Sequence, residues 1–461
     1  MERDRDDQRR GVAHALAASL FALAFVIIAY ATRRRAGYGV AALVATDPFA
    51  LYQSTGSTMI TLPKVALLAV FAGLVWRGAN WNPLRDRHAR LLLGAALAIV
   101  ATTALSIHAA DYHGPAIRET FKAVEYLAIF AVALCAYAAD PDERVALVAI
   151  VATTIAVSVA ALAQTVLGSP SVISLDRVAV PRVAGPIEGP NQLSGYLGIA
   201  LPVILAAGLR IRAFSLAAIT CALALAACAD VLTFSRSGIV TGAIAVGVVA
   251  IIARPRLLDP RLFALAGGAG AGFLIEAALI SQIGPAIAQL WAALLSHMNS
   301  ASPRAWGAVS RTWAAAISHM TTLQEAPNPG GVGTRSQLWR AAITLWERHP
   351  LLGIGAGNFE LEIGRVGPKG IRTHANNGYL QALCEGGLPL VAATLGQAFA
   401  SIRSFWGRTL TCPFALGALA ASIGLVLHEV VDDLVFYPKV GAWWWIVLAL
   451  GVAEQIRKRS A

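Results

Sequence analysis

Ala89-Arg-Leu-Leu-Leu-Gly-Ala-Ala-Leu-Ala-Ile-Val-Ala-Thr-Thr-Ala-Leu-Ser-Ile-His108 carries no acidic or basic residue between Arg90 and His108. About 17 to 25 such residues, wound as a helix, cross the hydrocarbon of a bilayer. Helices are required because each backbone amide must find its partner within the segment. Comparable stretches recur near 12–30, 59–76, 117–138, 143–167, 191–209, 213–232, 237–253, 262–281, 377–402, 413–431 and 441–456. The 461 residues are 57% hydrophobic and 14% charged, with mean hydropathy +0.63. A soluble domain carries roughly a quarter charged residues. The expected fold is an all-α polytopic membrane protein, a single membrane domain over 1–461 with about 12 transmembrane helices. Residues 36–52 are apolar but contain Asp47-Pro48, and read as re-entrant or interfacial.

The net charge of +11 does not point to nucleic acid, because of where it lies. Basic residues crowd alternate short loops: Arg77/Arg85/Arg87/Arg90, Arg210/Arg212, Arg254/Arg256/Arg261, Arg403/Arg408 and Arg457-Lys458-Arg459. The positive-inside rule assigns these to the cytoplasm and both termini with them. Arg33-Arg34-Arg35 then falls outside, so either 36–52 crosses the membrane or these arginines act at the outer face. The first apolar stretch is too long for a cleavable signal. Cys135, Cys221, Cys228, Cys384 and Cys412 lie in or beside helices, with neither a disulfide framework nor metal-ligand spacing. No appended soluble domain is expected.

One large loop, 284–376, is expected on the periplasmic side, and a shorter one at 168–190. Aromatic and aliphatic residues recur at helical spacing over about 285–299 and 304–324, as in helices lying along an interface. Breakers at 325–333 precede an amphipathic helix from Thr334 to Arg348, which His349-Pro350 ends. Gly353, Gly355 and Gly357 follow as a tight turn. The loop closes on Arg372-Thr-His374-Ala-Asn376-Asn377-Gly-Tyr379-Leu380, where an apolar helix begins.

Arginines converge on this outer face. Arg182, Arg236, Arg335 and Arg372, with Arg177, Arg304, Arg311 and Arg340 behind them, either clamp a phosphate group bidentately or meet anionic headgroups. Arg236 sits between two apolar helices, where a charge needs a partner or a task. His374 can be a neutral base at working pH, or a hydrogen-bonded loop histidine like His297, His319 and His349. Asn377 and Glu385 share one face of the following helix, and Gly386-Gly387 bends it. Arg118, Lys122 and Glu125, at i, i+4 and i+7, should face the interior. They, like His428-Glu429 and Asp432-Asp433, form salt bridges or line a cavity, and Asn191 joins the same set. Asp4-Arg-Asp6 and Asp140-Pro-Asp142 have a metal-binding spacing but fall on the other face, so no metal site is expected. Nucleotide-binding signatures are absent and no cofactor is implied.

Taken in order, these pieces resemble the O-antigen ligase and O-antigen polymerase superfamily of bacterial inner-membrane proteins. They are Arg182 through Asn191, Leu232-Thr-Phe-Ser-Arg-Ser-Gly238, Arg335-x-x-x-Trp339, His349-Pro-Leu-Leu-Gly-Ile-Gly355 with Asn358-Phe359, and His374-x-x-Asn377-x-x-Leu380 with Glu385-x-Gly387. The resemblance implies a fold similar to membrane-embedded lipid-sugar glycosyltransferases. It implies an undecaprenyl-pyrophosphate-linked glycan donor, presented at the periplasmic face. It gives Arg182, Arg236 and Arg335 the pyrophosphate and His374 the acceptor, with Arg372 as an added local candidate. Where the family often carries a second histidine, this chain has Ala375-Asn376. Ligases use a lipid A-core acceptor, polymerases a second lipid-linked repeat, and related proteins a protein hydroxyl. The single large loop and lack of an appended domain favour the ligase branch. Arginines in place of metal, and no evident carboxylate nucleophile, imply a metal-independent inverting transfer. A transporter or flippase with an arginine-lined lipid path is the alternative of another class, although polar groups gathered at one face favour an enzyme.

Overall fold

The computed structural model describes residues 2–49, 52–55, 58–168, 171–175, 178–209, 216–253, 335–369, 372–407 and 412–460. The expected span at 262–281, the stretches 285–299 and 304–324, and Arg177, Arg304 and Arg311 lie outside them. The helices are α1 (Glu2–Arg34), α2 (Ala36–Thr46), α3 (Leu62–Arg77), α4 (Arg87–Ser106), α5 (His113–Ala139), α6 (Glu143–Leu167), α7 (Pro190–Gly208), α8 (Leu216–Val231), α9 (Arg236–Ile252), α10 (Arg335–Arg348), α11 (Gly378–Phe405), α12 (Pro413–His428) and α13 (Pro438–Ser460). Their starts follow local chemistry. Asp86 accepts from His88 N at 2.9 Å and Asp142 from Val145 N at 3.0 Å, satisfying amides that open α4 and α6. Prolines open α3, α7 and α12, where a missing N–H costs nothing.

By length and composition α5, α7, α4 continued to Ala109 and α6 over Glu143–Thr165 are each able to cross a membrane; α2, α8, α9 and α12 are shorter apolar helices. The fold is that of a helical membrane protein. Two small antiparallel hairpins depart from the all-α expectation: β1 (Tyr52–Thr55) with β2 (Thr58–Thr61), and β3 (Ser171–Leu175) with β4 (Val178–Arg182). Thr recurs in the first hairpin and Val in the second, both β-branched residues that suit strands.

The core is built on α7, α12 and α13. α7 is buried from Gln192 through Gly208 apart from Gly198, and α13 from Val440 to Gln455. Trp443 of α13 stacks on Tyr196 of α7 with centroids 5.7 Å apart. Gly417 of α12 lets that helix approach Val203 of α7, where a Cβ would meet backbone. Around this centre α5 packs on α13, α4 on α11, α9 on α7 and α12, and α6 on α8.

One end of the bundle is rich in arginine. Arg35 bonds Asp140 at 3.3 Å and Asp142 at 2.8 Å, Arg459 pairs with Asp86 at 3.0 Å, and Arg457 pairs with Glu143. Arg77 Nη1 donates to the Arg34 carbonyl at 3.2 Å. Arg33–Arg35 thus share the face of Arg77 and Arg459, in line with the first of the two alternatives, that 36–52 runs across the bundle. The reason is that α2 stops at Asp47-Pro48, turns through β1–β2, and returns as α3. α1 and α13 both reach the arginine-rich face with their C-terminal ends, and α1 also contacts β1.

At that opposite end α11 breaks. Gly387 has φ 64° and ψ −160°, a conformation open essentially to glycine. The chain at His349-Pro350 wraps the break, with Leu388 N donating to Pro350 O at 3.2 Å.

Candidate active site

The glycine-rich turn sets the site. Gly353, Gly355 and Gly357 have φ of 65°, 92° and 71°, all left-handed. Glu385 of α11 holds the turn: its carboxylate accepts Gly357 N at 2.8 Å and Phe359 N at 3.1 Å. Asn358 ties the turn to the start of α5 by exchanging bonds with the Tyr112 backbone at 3.0 and 3.1 Å. The short helix Phe359–Glu362 that follows presents Glu360 to His374.

His374 approaches from the other side of this turn. Gln381 accepts Ala375 N at 2.7 Å and donates to Glu385 at 2.7 Å, so loop and helix share one network. Asn377 caps α11 by accepting Tyr379 N at 3.1 Å and Leu380 N at 3.0 Å, and donates to Val430 O at 2.8 Å. His374 Nε2 lies 2.9 Å from Glu360 Oε1. Its ring packs on Phe436 at 4.0 Å and Tyr437 at 5.7 Å between centroids. Burial, the largest influence, pulls the imidazole pKa down; the Glu360 bond and the charges of Asp433, Glu360 and Glu385 outweigh it, so the value is raised above 6.5. Glu360 is held below the usual carboxylate range, chiefly by its bond to His374 and also by the nearby Arg372 and Arg118.

A second network lies on Arg182, at the end of β4. Its Nε donates to Thr233 O and its Nη2 to Asn191 Oδ1, both at 2.6 Å, and Asn191 Nδ2 donates to Asp432 Oδ2 at 2.7 Å. The hairpin, the turn before α9 and the connector between α12 and α13 are thereby joined. Burial lowers the Arg182 pKa to about 10, with Asp432 opposing and the cation of Arg335 contributing, so it stays charged at neutral pH. Arg236 opens α9 and is half-buried, behind the capping hydroxyl of Ser235. Arg372 is exposed beside Glu360. The structure therefore groups Arg182, Asn191, Asp432 and Arg335 on one side, and His374, Glu360 and Arg372 on the other.

Between α4, α5, α11, α12 and α13 lies a cavity of about 160 Å³. Glu119, Lys122, Gln381 and Asp433 give it polar walls, while Leu390, Leu425, Trp444 and Trp445 line it with apolar surface. Lys122 pairs with Glu119 at 2.5 Å, donates to Phe436 O at 2.6 Å and lies 3.8 Å over the Phe436 ring. Phe436 is thus held between Lys122 and His374. Burial, the main cause, raises the Asp433 carboxyl to about 6, against the pull of His374 and Lys122.

Several side chains differ from their expected setting. Arg118 is exposed, and Glu119 rather than Arg118 joins Lys122 at the cavity. Glu125 turns away to Lys64 at 3.7 Å. His428, by contrast, lines a small separate cavity, one of its two expected settings, and meets Ser237 at 3.1 Å and Thr241 at 3.3 Å. Glu360 carried no sequence signal, since nothing local marks a carboxylate there as the partner of a histidine across a turn.

Residues 221–395 match the family model described as O-antigen ligase. The matched interval holds Arg236, Arg335, Arg372, His374, Asn377 and Glu385, and leaves Arg182, Asn191, Lys122 and Asp432 outside. No curated protein matches the chain significantly. The matched segment carries both the glycine turn and the histidine, and over this segment the chain is similar to the O-antigen ligase family.

Proposed function

We propose that the protein is an O-antigen ligase-like glycosyltransferase of the bacterial inner membrane, with its site facing the periplasm. It moves a glycan from undecaprenyl pyrophosphate to a hydroxyl of a lipid A-core acceptor. The observation that carries this reading is a buried histidine paired with a half-exposed carboxylate, beside a cavity with polar walls and an apolar lining. Such a cavity suits an amphiphile whose hydroxyl must lose a proton. His374 acts as general base, and the diphosphate leaves toward Arg182, Arg236 and Arg335, whose forked cations match phosphate oxygens. Arg372 joins from the solvent side. Displacement in one step inverts the anomeric carbon and needs no metal, because arginine cations balance the leaving charge.

The deciding experiment offers purified protein a synthetic undecaprenyl-diphosphate glycan with three acceptors in parallel: lipid A-core, a second donor molecule, and a serine-containing peptide. Transfer to lipid A-core alone supports the ligase. Transfer to the second donor makes it a polymerase, and transfer to the peptide a protein-glycosylating enzyme. No transfer, with donor movement across vesicles instead, would make it a transporter.

A further inference from the structure

His374 meets the protein through one ring nitrogen. Nε2 is bonded to Glu360 at 2.9 Å, whereas Nδ1 is buried and has no hydrogen-bond partner. Phe436 and Tyr437 pack against the ring, with centroids 4.0 and 5.7 Å away. A buried polar atom left unpaired costs about 1–3 kcal/mol. Such a group is tolerated where a ligand completes it. The charged groups acting on the ring are Glu360 from the short helix, Asp433 from the α12–α13 connector and Glu385 from α11. Arg372 and Arg118 act on Glu360 in turn, and Lys122 on Asp433. Asp433 and Phe436, both neighbours of the ring, line the cavity.

We propose that Glu360 is the positioning residue of His374: it keeps a proton on Nε2 and leaves Nδ1 as the nitrogen that receives the acceptor's proton. The nitrogen assignment stands on the geometry alone; its use in catalysis rests on the transferase reading above. In the reaction, an acceptor hydroxyl seated against Nδ1 gives that nitrogen its proton as the oxygen bonds to the anomeric carbon. The bond from that carbon to the diphosphate oxygen breaks, and its electron pair leaves with the diphosphate. The imidazolium so formed has Nε2–H still on Glu360, and Nδ1 returns its proton to released diphosphate or water. A carboxylate on the distal nitrogen orients the ring and raises its basicity.

The test is nitrogen NMR on the full chain, labelled with ¹⁵N-histidine in lipid nanodiscs. His374 is assigned by the resonance lost in His374→Gln. Above its titration midpoint wild-type His374 should carry its proton on Nε2. Glu360→Ala should mix the two tautomers and lower the midpoint, and Glu360→Asp should restore most of both. In transfer assays Glu360→Ala should lower kcat about 10- to 100-fold with the donor KM unchanged. A wild-type ring protonated on Nδ1 overturns the proposal, and so does a Glu360→Ala ring with unchanged tautomer and midpoint. If wild-type protein transfers no glycan to any acceptor, the transferase reading fails, while the ¹⁵N shifts still decide the nitrogen assignment.

Discussion

Asn191 donates to Asp432 Oδ2 at 2.7 Å while accepting from Arg182 at 2.6 Å, so one carboxamide joins a loop cation to a buried carboxylate from the far end of the chain. Asn191→Ala would leave both charges short of a partner, which typically costs about 1–3 kcal/mol for each buried polar group left unsatisfied. The variant should unfold at a lower temperature in detergent and use the donor poorly. Asn191→Asp should not rescue it, because a carboxylate facing Asp432 replaces attraction with repulsion. Differential scanning fluorimetry with a donor titration checks both; an unchanged midpoint and donor KM would leave the link without consequence.

The arginine set makes a separate claim. Lysine keeps the charge but loses the planar fork. Arg182→Lys, Arg236→Lys and Arg335→Lys should therefore each raise the donor KM or lower kcat, with Arg182→Lys most severe because its fork also bridges Thr233 and Asn191. Binding of undecaprenyl diphosphate by microscale thermophoresis separates donor binding from turnover. Wild-type affinity and turnover in all three would place the diphosphate elsewhere.

Activity should rise with pH through the His374 midpoint, since the base works only when neutral. That midpoint is raised above 6.5, burial being overcome by Glu360, Asp433 and Glu385. The sign for folding is opposite. A raised pKa means that the paired, protonated ring adds stability at low pH, which is lost as pH climbs through the folded value. His374→Ala should remove about a hundredfold to ten-thousandfold of the rate, as general-base loss does. A pH–rate profile for kcat checks this, and a wild-type rate that does not fall on the acidic side of the midpoint would remove His374 from the chemistry.

Much of this fold was legible in the sequence. The expected limits of 143–167 coincide with α6, because Asp142 supplies a capping oxygen at one end. Gly386-Gly387 marked the bend in α11, and the glycines at 353, 355 and 357 marked a tight turn, since left-handed backbone favours that residue. Contacts across the fold were not legible. On α5 both Arg118/Lys122/Glu125 and Glu119/Lys122/Tyr126 satisfy helical spacing, and only packing against α11 and α13 selects the second set. Likewise, charge alternation left two readings of Arg33–Arg35, and only the return made by α2 and α3 selects the one in which 36–52 runs across the bundle.

The bend itself is testable. At Gly387 the left-handed backbone and the nearby Leu351 carbonyl both oppose a side chain. Gly387→Ala should cost on the order of 1–3 kcal/mol, the range for strained backbone. It should also loosen the turn that presents Glu360, so activity should fall more than expression. Gly396→Ala, in the same helix with open space around it, serves as the control. Equal melting temperatures for the two variants would mean that the break is not needed.

Orientation is decided by the two ends of the bundle. Asp86 pairs with Arg459 at one end, while the exposed Lys369 lies in the chain between Arg365 and His374 at the other. Under the positive-inside rule the arginine-rich end is expected in the cytoplasm, an expectation that labelling tests. In a cysteine-free background, Arg85→Cys should react with an impermeant maleimide only after right-side-out vesicles are opened, and Lys369→Cys should react before. Labelling of Arg85→Cys from outside, with Lys369→Cys protected, would turn His374 toward the cytoplasm and remove the basis for a periplasmic glycan transfer.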